Sequence, residues 1–195
     1  NVIAWEMLST AKPHVNLELY FRAMSFAQRK QLFFAQLRHA MSCNAQGKYY
    51  LNATSDLLLE ESFHTRLILE TPRPEQLAIE VTDLEQIVQL NTKDTHTLRQ
   101  RIASLRQWGV EVWADDVFEA ILPQLLACQF LFYGVKIDKQ AFWSGRTEKE
   151  HFLHLTQRCK SLASKVLIEG IETFADFALA RASAADYGQG YLWNK

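Results

Sequence analysis

A β/α fold built on a parallel sheet is the architecture this 195-residue sequence predicts, and three observations carry the prediction. Short apolar runs alternate with helix-like stretches along the whole chain. The helix-like stretch near 94–108 carries an apolar stripe on one side only. Nearly every apolar run ends in an acidic or amide residue, as expected where parallel strands deliver their C-terminal ends to a common face.

The apolar runs fall near 2–8, 48–52, 77–82, 110–115, 132–137 and 165–169. Each core of four to six residues is rich in Val, Ile, Leu or aromatics, the composition of a strand. The helix-like stretches lie near 26–43, 94–108, 148–163 and 173–183. In the second of these, Leu98, Ile102 and Leu105 recur at helical spacing with Arg99, Arg101 and Arg106 off the stripe, which predicts an amphipathic helix covering a sheet. Strand alternation assigns faces. If Glu6 points inward, so do Ala4 and Leu8, while Ile3, Trp5 and Met7 face the helices; likewise Lys136 shares a face with Gly134 and Asp138.

Gly and Pro are scarce, with 7 and 4 copies, and there is neither a low-complexity linker nor a fixed-period repeat, so residues 1–195 read as one domain. At 48% hydrophobic the chain can bury a substantial core. The net charge of −1, with no Lys/Arg run, argues against a DNA or RNA partner and against a broad anionic-membrane surface. Cys43, Cys128 and Cys159 are an odd set without close spacing, which speaks against a disulfide framework or a zinc site and for the cytoplasm. No run reaches the length of a membrane span and no signal-peptide pattern is present, although the chain is compatible with the cytoplasmic part of a membrane-anchored protein.

The polar residues at the run ends are the chemical signal. Glu6, Asn52, Glu80, the pair Asp115-Asp116 and Glu169 each close an apolar run. Adjacent carboxylates repel and resist desolvation, so Asp115-Asp116 implies a compensating cation, and converging oxygen donors suit a hard divalent ion. Each alone reads more simply as a solvated or salt-bridged residue; their joint pattern reverses that reading. His151 and His154, three apart on a helix, lack a third ligand nearby and read as a surface pair. Trp5, Trp113, Phe130 and Phe132 could stack a base, but aromatics on strands are usually core.

These motifs together resemble the EAL domain, a bacterial family of cyclic di-GMP phosphodiesterases. Glu6-Met7-Leu8 stands where the family has E-A-L, Asn52 where it has the Asn of N-x-S, and Glu80-Val-Thr-Asp83 where it has E-[IL]-T-E. Asp115-Asp116 matches D-D-F-G-T-G, Val135-Lys136-Ile-Asp138 matches x-K-I-D, Glu169-Gly-Ile-Glu172-Thr matches E-G-V-E-T, and Gln189-Gly-Tyr-Leu192 matches Q-G-Y-x. Lys136 follows Asp115 by 21 residues and Gln189 follows Glu169 by 20, as in the family pattern. One fixed residue matches by chance roughly one time in twenty, so this many ordered matches carry weight.

The resemblance implies a (β/α)8 TIM-barrel-like fold, with allowance for one antiparallel strand and for trimmed termini, since the family has a further strand before E-A-L. It implies a metal-dependent hydrolase converting cyclic di-GMP to linear pGpG with two Mg²⁺ or Mn²⁺ ions. Glu6, Asn52, Glu80 and Asp115 would hold one ion, and Asp115, Asp116 and Glu169 the other. Lys136 would orient the attacking water or stabilise charge, Glu169 is a candidate base, and Gln189 would position a water or the ligand. Asp138 and Glu172 would fix Lys136 and the metal ligands, and Asp83 would brace the loop after Asp116.

Departures from the pattern keep a second reading open. Thr10 stands where the family has a phosphate-pairing Arg, with Lys12 as a weak substitute, and the loop from Val117 to Pro123 has lost both glycines. Glu6 and Asn52 are 46 residues apart, closer than the family pattern. The rival is a catalytically inactive EAL-like module that binds cyclic di-GMP or a regulatory protein partner; a homodimer is compatible with either reading. An unrelated barrel metalloenzyme explains the carboxylates but not the Lys-Ile-Asp and Glu-Gly-Ile-Glu contexts.

Overall fold

The computed structural model describes residues 4–9, 16–43 and 47–193. Thr10 and Lys12, where the sequence departs from the family's Arg, lie outside these residues. Seven strands form one sheet in the order of the sequence, every neighbouring pair parallel: β1 (Ala4–Glu6), β2 (Lys48–Ala53), β3 (Leu77–Val81), β4 (Glu111–Val117), β5 (Gly134–Ile137), β6 (Lys165–Ile168) and β7 (Tyr187–Gly188). The sheet is a half-barrel, and the antiparallel strand allowed for above is not among the described residues. β7 was not anticipated, because two residues leave no apolar run to find.

The connections are helical: α1 (Leu17–Ala23), α2 (Phe26–Ser42), α3 (Ser55–Leu59), α4 (Glu61–Glu70), α5 (Leu84–Ile87), α6 (Thr92–Trp108), α7 (Leu122–Cys128), α8 (Lys139–Ser144), α9 (Lys149–Leu162) and α10 (Phe174–Ala182). The four stretches read as helix-like correspond to α2, α6, α9 and α10, within two residues of expectation. The six unanticipated helices have ten residues or fewer, too short for a periodic stripe to stand out. α6 buries Leu98, Ile102 and Leu105, and its off-stripe Arg99 and Arg106 donate to the Cys128 and Leu131 carbonyls. Reciprocal caps start α2, through Ser25 and Gln28, and α10, through Thr173 and Asp176.

Strand alternation divides the interior in two. Outward residues such as Leu51, Ile79, Val81, Val112, Val135 and Ile168 join the large core beneath the helices. The concave face carries a smaller cluster of Tyr50, Ala78 and Trp113, flanked by Ala4, Tyr133, Leu167 and Tyr187. Trp113 is fully buried there, and a Cβ on Gly134 would lie 2.4 Å from its ring, so only glycine fits at that register position. Phe130 and Phe132 are buried in the outer core, which removes them and Trp113 as stacking surfaces; Trp5 is half exposed. His151 and His154 are exposed on α9.

Candidate metal centre

Because every strand runs the same way, the polar residues at the strand ends collect at one rim. At its centre is Lys136, which is 2% exposed. Its Nζ lies 3.0 Å from Glu80 Oε1, 2.6 Å from Glu169 Oε1 and 3.3 Å from Asp115 Oδ1. On the far side, Gln189 Nε2 donates to Glu6 Oε2 at 3.1 Å and so links the ends of β7 and β1.

The Asp115-Asp116 pair poses a geometric problem, since consecutive strand residues point to opposite faces. β4 solves it with a bulge. Ala114 pairs with Val135 and Val117 with Ile137, so two β4 residues oppose the single residue Lys136, and Asp116 takes a left-handed φ of 52°. Carboxylate oxygens of Asp115, Asp116 and Glu169 thereby come within 4.8 Å of one another, a spacing that fits a metal ion. Nothing in the sequence of one strand reports its register against the next, so this bulge could not be read in advance.

Electrostatics reinforce the fit. Burial raises Glu80 to about 8, with Asp115 and Glu6 adding to burial and Lys136 opposing it. Burial likewise raises Glu169 to about 7, and burial together with Asp115 and Asp138 raises Asp116 to about 6. Asp115 is raised for the same primary reason. Burial opposes the charge on Lys136, but Asp115, Glu80, Glu169 and Glu6 outweigh it and hold the ammonium well above the ordinary lysine range. Five carboxylates thus surround one cation. Two buried oxygens at the ends of adjacent strands, Asn52 Oδ1 and Glu80 Oε2, have no hydrogen-bond partner. Native proteins rarely leave such atoms unsatisfied, and an oxygen-only donor set suits Mg²⁺ or Mn²⁺. The residues present fit the metal.

Three supporting roles need correction. Asp83 does not brace the loop after Asp116: its carboxylate accepts from the backbone N–H and the hydroxyl of Ser55, at 2.7 and 2.6 Å, and so steadies the chain just after Asn52. Asp138 is not the partner of Lys136; β5 has ended, and Asp138 caps α8 by accepting from the N–H groups of Gln140 and Ala141. Glu172 has an exposed side chain, and it is its backbone N–H that is used, donating to Asp176. The loop that has lost both glycines is packed rather than open. Ile121 and Leu122 are buried, Phe118 packs against the core, and Glu119 pairs with Arg158 of α9, so the loop turns its bulk inward.

The family model described as the EAL domain matches residues 5–195. The chain belongs to the EAL domain family. Among curated proteins it is similar to the probable cyclic di-GMP phosphodiesterase PdeB of Escherichia coli (strain K12), 32% identical over 123 residues; the match covers 63% of this chain and 22% of that protein. The fold of this EAL domain is similar to that of an EAL domain protein from Listeria monocytogenes, at a TM-score of 0.73 and 18% identity, covering 97% of this chain and 80% of that one. It is also similar to Klebsiella pneumoniae BlrP1 in its manganese and cyclic di-GMP complex, at a TM-score of 0.67 and 21% identity, covering 91% of this chain and 47% of that one. The half-barrel sheet and its helical layer are therefore those of an EAL domain.

Proposed function

We propose that this EAL domain binds cyclic di-GMP together with two divalent cations, Mg²⁺ or Mn²⁺, and hydrolyses one phosphodiester bond to give linear pGpG. The observation that carries the reading is the surplus of oxygen at the rim: five carboxylates around Lys136, with two buried oxygens, Asn52 Oδ1 and Glu80 Oε2, lacking donors. If all five are ionised, the excess over Lys136 is four negative charges, which two divalent ions would cancel. Asn52, Glu80, Asp115 and Glu6 would hold one ion, and Asp115, Asp116 and Glu169 the other. Such a pair supplies charge neutralisation at the phosphoryl oxygens and a water of lowered pKa.

The chain's own groups supply the rest. Glu169, whose carboxylate lies beside those of Asp115 and Asp116, is the candidate to accept the proton of the attacking water. Lys136, held charged by its neighbours, offers a fixed positive charge toward the equatorial oxygens as the P–O bond to one ribose breaks. Gln189 restrains Glu6. Binding without turnover is the second reading, favoured by the loss of both glycines after Asp116; against it, Asp116 already reaches the carboxylate cluster. Cysteines that are all free suit a cytoplasmic setting, which belongs to the same proposal.

The test is an assay of purified protein with cyclic di-GMP and Mn²⁺, separating cyclic from linear product. Linear dinucleotide is expected, and Glu80→Gln and Asp115→Asn should lose both Mn²⁺ uptake and product. Nucleotide binding without product would select the second reading. Wild-type protein that takes up no Mn²⁺ would refute the metal site.

A further inference from the structure

Glu169 sits on the short connection between β6 and α10, which bonds to the ends of both strands flanking β6. The Glu169 N–H donates to the Ile137 carbonyl at 3.3 Å and the Ile171 N–H to the Gln189 carbonyl at 3.1 Å. Between them Gly170 takes a φ of +75°, a conformation costly for any residue with a Cβ. To its carbonyl Trp143, at the end of α8, donates its indole N–H at 2.9 Å. Two residues beyond α8, Arg146 makes a two-point pair with Asp176, at 2.8 and 2.9 Å, and stacks over the Trp143 ring, 5.0 Å from its centroid. Asp176 is 3% exposed and accepts the backbone N–H groups of Glu172 and Thr173, at 3.1 and 3.0 Å. The connection is therefore gripped on both sides of Ile171 by groups that do not touch the carboxylate cluster.

We infer that Trp143 and Arg146 are positioning residues that set where Glu169 lies relative to Asp115 and Asp116, and so tune the second metal position; this rests on the proposed function. A free connection would sample several placements of Glu169, and cation binding would have to select one, lowering apparent affinity by the fraction of competent molecules. An ordinary structural role is the alternative, since Asp176 also caps α10 and the Arg146 side chain is 40% exposed. What separates the two is whether the effect passes through Glu169.

The experiment compares Trp143→Phe, which keeps the ring and loses the donor, and Arg146→Met with the wild type. Arg66→Met serves as control, because Arg66 also combines an ion pair, to Glu70, with a ring contact, to Phe34, but far from the rim. Two quantities are read: Mn²⁺ affinity by titration, and amide hydrogen exchange of the peptide covering 169–173. Both brace variants should weaken Mn²⁺ about tenfold and speed exchange locally, whereas the control changes neither. In a Glu169→Gln background the brace substitutions should produce no further loss of affinity. Unchanged exchange and affinity in Trp143→Phe and Arg146→Met would overturn the inference, as would an equal loss of affinity with and without Glu169. If wild-type protein takes up no Mn²⁺, the proposed function fails by itself, and the inference fails with it unless exchange at 169–173 quickens in the brace variants.

Discussion

The concave face of the sheet carries polar groups at both ends, and the two ends are built to opposite rules. At the floor, Glu111 has a partner for each need: Lys48 Nζ lies 3.0 Å away, and the Trp113 indole N–H donates at 3.1 Å. Burial, together with the neighbouring Glu111 charge, raises the Tyr133 phenol. One carboxylate is matched there by one cation and surrounding donors. At the rim, one ammonium serves several carboxylates, and Asn52 Oδ1 and Glu80 Oε2 go without. The same strands supply both ends, so the contrast does not come from the fold. A satisfied buried network holds structure together, whereas a surplus of one charge type lowers stability until a ligand of opposite charge arrives.

The largest expected break in this contrast comes from removing the two lysines in turn. Lys136→Met deletes the cation that pairs with Glu80, Asp115 and Glu169 and should destabilise the metal-free protein by about 3–5 kcal/mol, the usual consequence of orphaning a buried charge partner. Lys48→Met should cost about 1 kcal/mol, because Glu111 keeps its indole donor and its side chain retains some access to water. Urea unfolding in EDTA measures both; equal losses would mean that the two ends do not differ.

pH sharpens the comparison next. Glu80, Glu169 and Asp116 have folded values of about 8, 7 and 6, all above the ordinary carboxylate range. The folded protein therefore binds more protons than the unfolded chain across this window, so metal-free stability is greatest near pH 4–5 and falls as pH rises through 6 to 8. A cation must displace those protons, so Mn²⁺ affinity should run the other way, weakening about tenfold or more from pH 8 to pH 6. Calorimetric titration in buffers of different ionisation enthalpy would count the released protons. Affinity flat with pH would contradict the assignment.

The smallest effect is expected at the bulge. Asp116→Gly relieves the left-handed backbone and one like charge, and should raise metal-free stability by about 1 kcal/mol while reducing Mn²⁺ uptake. At the floor, Glu111→Gln should instead lower stability and leave Mn²⁺ uptake unchanged. A metal-free Asp116→Gly protein less stable than wild type would show that the bulge is not strained.

The sequence by itself determined a good deal. Runs such as 77–82 and 165–169, and the stripe of Leu98, Ile102 and Leu105, were legible because burial imposes a period of two on strands and of about 3.6 on helices. The rim residues were legible because each closes its own run, and parallel strands must carry their ends to the same side. Short helices such as α3 and α5, and the two-residue β7, were not, since too few residues repeat for any period to show.

Contacts between elements were decided only by the tertiary structure. Asp83 meets Ser55 across the β3 and β2 ends, Asp138 is spent on capping α8, and Lys136 finds Glu80, Asp115 and Glu169 from three other strands. Most decisive is the bulge that turns both Asp115 and Asp116 toward Glu169. Register is a relation between two strands, fixed by how their side chains pack against everything else, and no single segment of sequence contains it.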